Sequence, residues 1–220
     1  MKTPLIVIDN FLENPDRLRE FANKLEYNAD EQFMWPGKRT DCLSVLNPAI
    51  YKLLCEKVLS LIYDFDSQYP SYKANVQFHK TDNSIKGGWV HTDYPRAFTF
   101  MLYLSPEAEL EEGTSLVRPI SSLYSMHDLT HDASLIKQSY LDNNLELVEK
   151  YRKELNNKFE ETMKINNVYN RLIIFDSTIY HRANDFISTP ENPRLTLIGF
   201  FDYVSSNKDA INRAKSLFYI

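Results

Sequence analysis

The sequence predicts a mainly β fold with flanking helices, and three observations carry that reading. Apolar residues recur at helical spacing up to about Ile62, then alternate with polar ones from Ala74 onward. Two later runs, Ala97 to Leu104 and Arg171 to Asp176, are almost continuously apolar, as strands covered on both faces are. The 14 Tyr and 13 Phe are a heavy aromatic load, which suits a packed β core or an aromatic-lined pocket. With 220 residues and 43% hydrophobic content, residues 1–220 are expected to build a single domain around one core.

Charge and cysteine content narrow the function classes. A net charge of -5 offers no basic footprint for phosphates, so no nucleic acid partner is expected. Cys42 and Cys55 are the only cysteines, without metal-ligand spacing or the density of a disulfide scaffold, which fits a reducing compartment. The apolar run Pro4 to Ile8 is broken by Asp9 and Asn10, too early for a signal-peptide core. No run reaches membrane-spanning length, so a soluble, cytoplasmic protein with no membrane partner is expected.

Taken in order, Leu5 to Ile8 reads as a short buried strand. Asn14-Pro15 and Asn47-Pro48 each read as an N-cap followed by proline at the first helical position. Behind them, Leu18, Phe21, Ala22 and Leu25 form one apolar stripe, and Tyr51, Leu54, Val58, Leu61 and Ile62 form another. Both helices are expected to pack outside the β-rich part. Between them the Trp35-Pro36-Gly37 stretch, with Lys38 and Arg39, lacks periodicity and reads as a loop; a surface turn and a pocket rim are both open to it.

From Ala74, Val76 and Phe78 alternate with Asn75, Gln77 and His79, giving a strand with a polar face aimed at a cavity. Thr99, Met101 and Tyr103 share one face of the next strand, and another starts after the acidic turn at Glu112-Gly113-Thr114. Ile120 to Val168 is polar, with Leu145, Val148, Tyr151, Leu155, Phe159 and Met163 at helical spacing, and reads as a helical insertion forming a lid or side wall. Arg171 to Asp176 and Arg194 to Val204 read as further strands, the second placing Arg194, Thr196 and Ile198 on one face. Asn207 to Ile220 reads as a short helix or tail.

The chemistry collects in two places. His91-x-Asp93 leaves a glycine turn, Gly87-Gly88, and precedes a buried strand, so both side chains can face a barrel interior. Far downstream, His181 stands at a strand end, and Arg194 opens an otherwise apolar strand. A guanidinium there needs an anion, and its planar fork suits a carboxylate, with Thr196 on the same face to add a hydroxyl. Two imidazoles and one carboxylate can occupy one face of an octahedral Fe(II) and leave three positions open. A second cluster, His127-Asp128 with His131-Asp132, has no third ligand fixed by spacing and is not taken as a metal site.

In this order, His91-x-Asp93, His181 and Arg194-x-Thr196 resemble the iron(II)- and 2-oxoglutarate-dependent oxygenases. The run Asn170 to Asp176 leading into His181 looks like the prolyl-hydroxylase-like branch, as does the opening Ile8 to Leu12 with Asn14-Pro15. The likeness spans about Ala74 to Val204 apart from the insertion. It implies a double-stranded β-helix of the jelly-roll or cupin-like kind, with His91, Asp93 and His181 as both catalytic centre and iron ligands. Arg194 would hold the distal carboxylate of 2-oxoglutarate, assisted by Thr196, with Tyr103 and His79 or Gln77 as further cosubstrate contacts.

The same resemblance implies consumption of O2, hydroxylation of a C–H bond, and release of succinate and CO2. The retained carboxylate of Asp93 sets the chain apart from halogenating relatives, where a small residue makes room for chloride. Glu112-Gly113-Thr114 departs from the family's paired glycines before a threonine, leaving that turn without a counterpart. The expected substrate is a small molecule, such as an amino acid or other metabolite, or a peptide side chain; Trp35, Arg39, Arg96 and Arg118 are candidates to face it. The rival reading is a non-catalytic cupin-like barrel binding a metal or a small acid, against which the Arg194-x-Thr196 clamp argues.

Overall fold

The computed structural model describes residues 3, 5–29, 35–65, 69–122, 124 and 126–207, with the backbone alone for 126–130. The expected C-terminal helix or tail therefore lies outside the described residues from 208 onward. The strands are β1 (Ile6–Ile8), β2 (Asn28–Ala29), β3 (Lys38–Arg39), β4 (Ser71–Thr81), β5 (Phe98–Tyr103), β6 (Thr114–Pro119), β7 (Phe159–Ile165), β8 (Leu172–Asp176), β9 (His181–Ala183) and β10 (Arg194–Ser205). Helices α1 (Pro15–Asn23), α2 (Leu43–Leu46) and α3 (Pro48–Leu59) come early, and α4 (Met126–Leu141) and α5 (Leu145–Asn156) stand between β6 and β7.

The strands form two antiparallel sheets, in the manner of a double-stranded β-helix. The larger runs β1-β8-β5-β10-β4-β3-β2 and the smaller β7-β6-β9. Segment 87–91 extends the smaller sheet beyond β9 through bridges at Gly87 to Asp185 and His91 to His181. Strand β5 sits between β8 and β10, which explains its unbroken apolar run: both of its edges and both of its faces are covered.

Helices α1 and α3 close the outer face of the larger sheet. Each starts as its sequence dictates: the Asn14 side chain accepts from the Arg17 amide at 3.4 Å, and that of Asn47 from the Ile50 amide at 3.1 Å. A proline follows each cap, and such a cap stabilises by about 1 kcal/mol. Leu18, Ala22, Leu54 and Val58 then pack on Val76, Phe78, Phe100, Leu102, Leu197 and Phe201. Burying a side chain of this size contributes roughly 1.5–3 kcal/mol, so packing outweighs the caps. No helix among the described residues is long and apolar enough to cross a membrane.

Some sequence expectations need correction. Strand β1 is an edge strand rather than a buried one, pairing β8 alone, with Val7 43% exposed. The helical insertion ends at Asn156, and residues 159–165, which continue its apolar phase through Phe159 and Met163, form β7 against β6. Tertiary pairing overrides the pattern there, since Met163 is 45% exposed and Ile165 is buried between the sheets. Gly87 and Gly88 do not make a turn. They lie alongside 183–185, where a Cβ on Gly87 would stand 2.5 Å from the Asn184 carbonyl oxygen and one on Gly88 2.9 Å from the Ala183 nitrogen.

Helices α4 and α5 form a side wall. Ile136, Val148 and Leu155 pack against Trp89, Val90, Val117 and Phe186, so the insertion braces the segment leading into His91. Of the second histidine cluster, His127 and Asp128 have no described side chains, His131 is exposed, and Asp132 pairs with Lys158 at 2.5 Å. Cys42 and Cys55 are both free.

Candidate metal centre

His91, Asp93 and His181 converge at one end of the space between the sheets. The potential ligand atoms of the three all lie within 4.8 Å of one another. His91 Nε2 stands 3.8 Å from Asp93 Oδ1, and His181 Nε2 stands 3.5 Å from Asp93 Oδ2. The backbone sets this meeting, because His91 and His181 pair with each other and the Asp93 amide donates to the Ser177 carbonyl at 2.9 Å.

The protonation states follow from the hydrogen bonds. Nδ1 of His91 lies 3.0 Å from the Trp89 carbonyl, and Nδ1 of His181 lies 2.9 Å from the Ile179 carbonyl. A carbonyl only accepts, so Nδ1 carries a proton in both rings and each Nε2 is the nitrogen turned toward the centre. Burial, reinforced by the neighbouring His181, pushes His91 down to about 3, so its ring is neutral near neutral pH. Burial pushes the Asp93 carboxyl up, but His181, His91 and the Thr99 hydroxyl together outweigh it and hold Asp93 below its ordinary value. Thr99 Oγ1 donates to Asp93 Oδ2 at 2.5 Å. Two imidazole nitrogens and one ionised carboxylate fit a divalent first-row metal such as Fe(II), with open positions.

The triad opens into a cavity of about 660 Å³ including its solvent-facing part. Arg194, which lines the same cavity, is 3% exposed. Its guanidinium carbon lies 5.4 Å from the Tyr103 ring centre, and Nη2 lies 3.7 Å from Met101 Sδ. Its Nε has no hydrogen-bond partner, and among the described residues no carboxylate lies within 4.0 Å of the group. Burial pulls even the arginine pKa down, against the opposing pull of Tyr103 and of the Glu112 carboxylate.

The remaining expected contacts fall at different depths. Thr196 and His79 line the cavity; the Thr196 hydroxyl lies 3.4 Å from the His79 carbonyl, and His79 Nε2 lies 2.8 Å from the Pro36 carbonyl. Tyr103 is fully buried beside Arg194 and donates to Thr114 Oγ1 at 2.8 Å. Gln77 stands apart from the cavity wall, its amide donating to the Thr40 carbonyl at 2.8 Å.

Lys38 and Arg39, expected in a loop, form β3 against β4, because their backbone pairs with Lys80 and His79, and Trp35, Pro36 and Arg39 line the cavity, so the stretch rims it. Arg96 pairs with Asp202, and exposed Arg118 pairs with Glu160 at 2.5 Å. Sequence reasoning gave no role to Thr99, Thr114, Trp89 or Phe186, although Thr99 was legible as sharing a strand face with Met101 and Tyr103. Glu112, the departure noted in the sequence, is 1% exposed. Its carboxylate accepts from the amides of Ile187, Ser188 and Glu109 and from the Ser188 hydroxyl, tying down the loop after β9.

Solved structures share this architecture. HygX from Streptomyces hygroscopicus, with nickel, 2-oxoglutarate and hygromycin B bound, matches with a TM-score of 0.55 at 12% identity, over 90% of this chain and 82% of that one. A prolyl hydroxylase from Trichoplax adhaerens, in complex with a hypoxia inducible factor peptide fragment, gives 0.53 at 12% identity, over 90% and 83%. SnoN, a non-heme alpha ketoglutarate dependent epimerase from nogalamycin biosynthesis, gives 0.52 at 10% identity, over 90% and 76%. At these identities the likeness is one of fold. No curated protein matches the sequence.

Fold and site geometry thus define a double-stranded β-helix protein with a His-Asp-His centre fit to hold a metal ion. Within that class, residues 1–201 match the model described as Family of unknown function (DUF6445), and the chain belongs to that family.

Proposed function

We propose that the protein is an Fe(II)- and 2-oxoglutarate-dependent dioxygenase that hydroxylates a C–H bond of a small metabolite or of a peptide side chain, with release of succinate and CO2. His91, Asp93 and His181 hold the iron, and Arg194 receives the distal carboxylate of 2-oxoglutarate. Thr196 adds a hydroxyl beside Arg194. Tyr103 acts behind it, its ring against the guanidinium and its hydroxyl on Thr114. Gln77 has no place in this reading, since its amide is engaged by Thr40.

The observation that carries the reading is Arg194. A guanidinium at 3% exposure with no carboxylate in direct contact, only the longer-range pull of Glu112, is costly, because burying an ion costs several kcal/mol unless an opposite charge compensates it at close range. A dicarboxylate reaching from the triad to Arg194 supplies that charge with matched, forked geometry. A metal held only for structure or sensing creates no such demand. When bound, iron with 2-oxoglutarate activates O2 for C–H oxidation, and the chain's part is to orient the ligands and exclude water.

The test is an anaerobic titration of the metal-free protein with Fe(II) and 2-oxoglutarate, watching for the weak visible charge-transfer band of the chelate. The band is expected in the wild type and is expected to vanish in Arg194→Ala. Iron binding without any band in the wild type would sink the proposal.

A further inference from the structure

We propose, resting on the dioxygenase reading, that the substrate group presented to the metal is a planar, apolar ring bearing no cationic substituent. Setting aside the triad and the polar set around Arg194, the wall consists chiefly of Trp35, Trp89, Phe186, Phe200 and Ile198. Trp35 and Trp89 are stacked, with ring centres 5.7 Å apart and planes 12° from parallel. The Trp35 ring also lies 4.2 Å from that of His91. An aromatic surface therefore begins beside a metal ligand, tilted 49° from the His91 ring, and Phe186 extends it, while Phe200 carries the Arg96 guanidinium 4.7 Å from its ring centre.

Polar substrates fit this wall poorly. Among the described lining residues the only carboxylate is Asp93, which is engaged by Thr99 and by the metal centre. The cations there are Arg39 and Arg194, and Lys137 stands 5.4 Å from the Trp35 ring centre. An ammonium group would meet like charge and find no free counterion, and the cation–π position over Trp35 is already held by Lys137. A sugar fares little better, because the wall hydroxyls of Thr99, Thr114 and Thr196 already have partners in Asp93, Tyr103 and the His79 carbonyl, and Thr81 is the one lining threonine beyond them. A sugar has several hydroxyls to satisfy, and each one buried without a partner costs about 1–3 kcal/mol. The hygromycin B of the HygX structure is thus not carried over to this chain.

The chain has only 2 Trp, and both line this cavity, so tryptophan emission reads this wall alone. The experiment titrates the anaerobic protein, holding Fe(II) and saturating 2-oxoglutarate, with phenylpropanol, phenylpropylamine, glucose or L-lysine. Emission and the chelate band are followed together. Phenylpropanol is expected to change emission saturably and to perturb the band. Phenylpropylamine, the same skeleton ending in an ammonium, is expected to bind at least about tenfold more weakly, and glucose and lysine to have no effect. In Phe186→Asn the band should persist while phenylpropanol affinity falls roughly tenfold.

The inference is overturned if glucose, lysine or phenylpropylamine binds as tightly as phenylpropanol, or if phenylpropanol leaves emission unchanged while the band is present. If no band forms but phenylpropanol still alters emission selectively, the cosubstrate reading fails and the preference for an apolar ring stands.

Discussion

His91 and His181 face each other as a doubly bonded antiparallel pair, each backbone N–H donating to the other's carbonyl at 3.0 Å. Each ring is further fixed by an Nδ1 contact to the carbonyl two residues earlier. The spacing of the two imidazoles is therefore set by main-chain pairing, and the tautomer of each by a local hydrogen bond, before any metal arrives. A site built this way is preorganised, and its ligands can be removed singly without dismantling the fold.

His181→Ala should keep the fold and lose the metal, because the ladder bonds at 181 use only backbone atoms. Circular dichroism should be unchanged while Co(II) affinity falls by more than the ~10–100-fold that loss of an outer hydrogen bond costs. Undiminished Co(II) binding would remove His181 from the centre.

Thr99 is a positioning residue for Asp93. Its hydroxyl holds one carboxylate oxygen at 2.5 Å and so sets which lone pairs face the metal. Thr99→Val should weaken Co(II) binding by roughly 10–100-fold and alter the d–d spectrum of the bound ion, and Thr99→Ser should restore both. Wild-type affinity and spectrum in the valine variant would mean that the bond serves packing alone.

Arg194→Met separates function from stability. Removing a buried ion that lacks a carboxylate partner relieves desolvation, so the metal-free variant should melt at the wild-type temperature or above it. The same variant should fail to form the chelate band at any practical 2-oxoglutarate concentration. A clear fall in melting temperature would show that Arg194 is already compensated in the free protein.

Much of this was legible in the sequence. Asn14-Pro15 and Asn47-Pro48 announced their helices because capping is local chemistry, and Thr99, Met101 and Tyr103 shared a face because strand geometry has a period of two. Other features were hidden because they depend on partners remote in sequence. Strand β7 keeps a helical apolar phase and is a strand only because β6 lies beside it. Gly87 and Gly88 read as a turn, whereas their small size serves close approach to 183–185. The Trp35–Trp89 stack joins a loop to a segment packed on the insertion, a contact that no spacing rule encodes.

Glu112 tests one such remote contact. Its carboxylate receives four donors, and glutamine in its place would turn an amide NH2 toward some of them. Glu112→Gln should destabilise by about 1–3 kcal/mol, the penalty of leaving buried donors unsatisfied. Chemical denaturation would measure it, and a variant as stable as the wild type would show that these donors find water instead.

Acid should destabilise the metal-free protein well before its carboxylates titrate. Burial, with Arg39 and Arg194 nearby, holds His79 well below its ordinary value, and burial with His181 holds His91 at about 3. In the unfolded chain both titrate near ~6.5. Between those limits the unfolded state binds more protons, so stability is complete above the unfolded value and declines as pH falls below it. The slope is at most ~1.4 kcal/mol per pH unit for each histidine. Asp93, whose folded pKa is also lowered, acts in the same direction but at lower pH: its contribution is intact through this window and is lost as pH falls from the ordinary carboxylate value toward the lowered one. Melting temperature should therefore drop between about pH 7 and about pH 5 in the wild type and drop less in His79→Gln, which retains a donor for the Pro36 carbonyl. Equal slopes in the two proteins would mean that His79 is protonated in the folded state, with the Pro36 loop displaced to admit water.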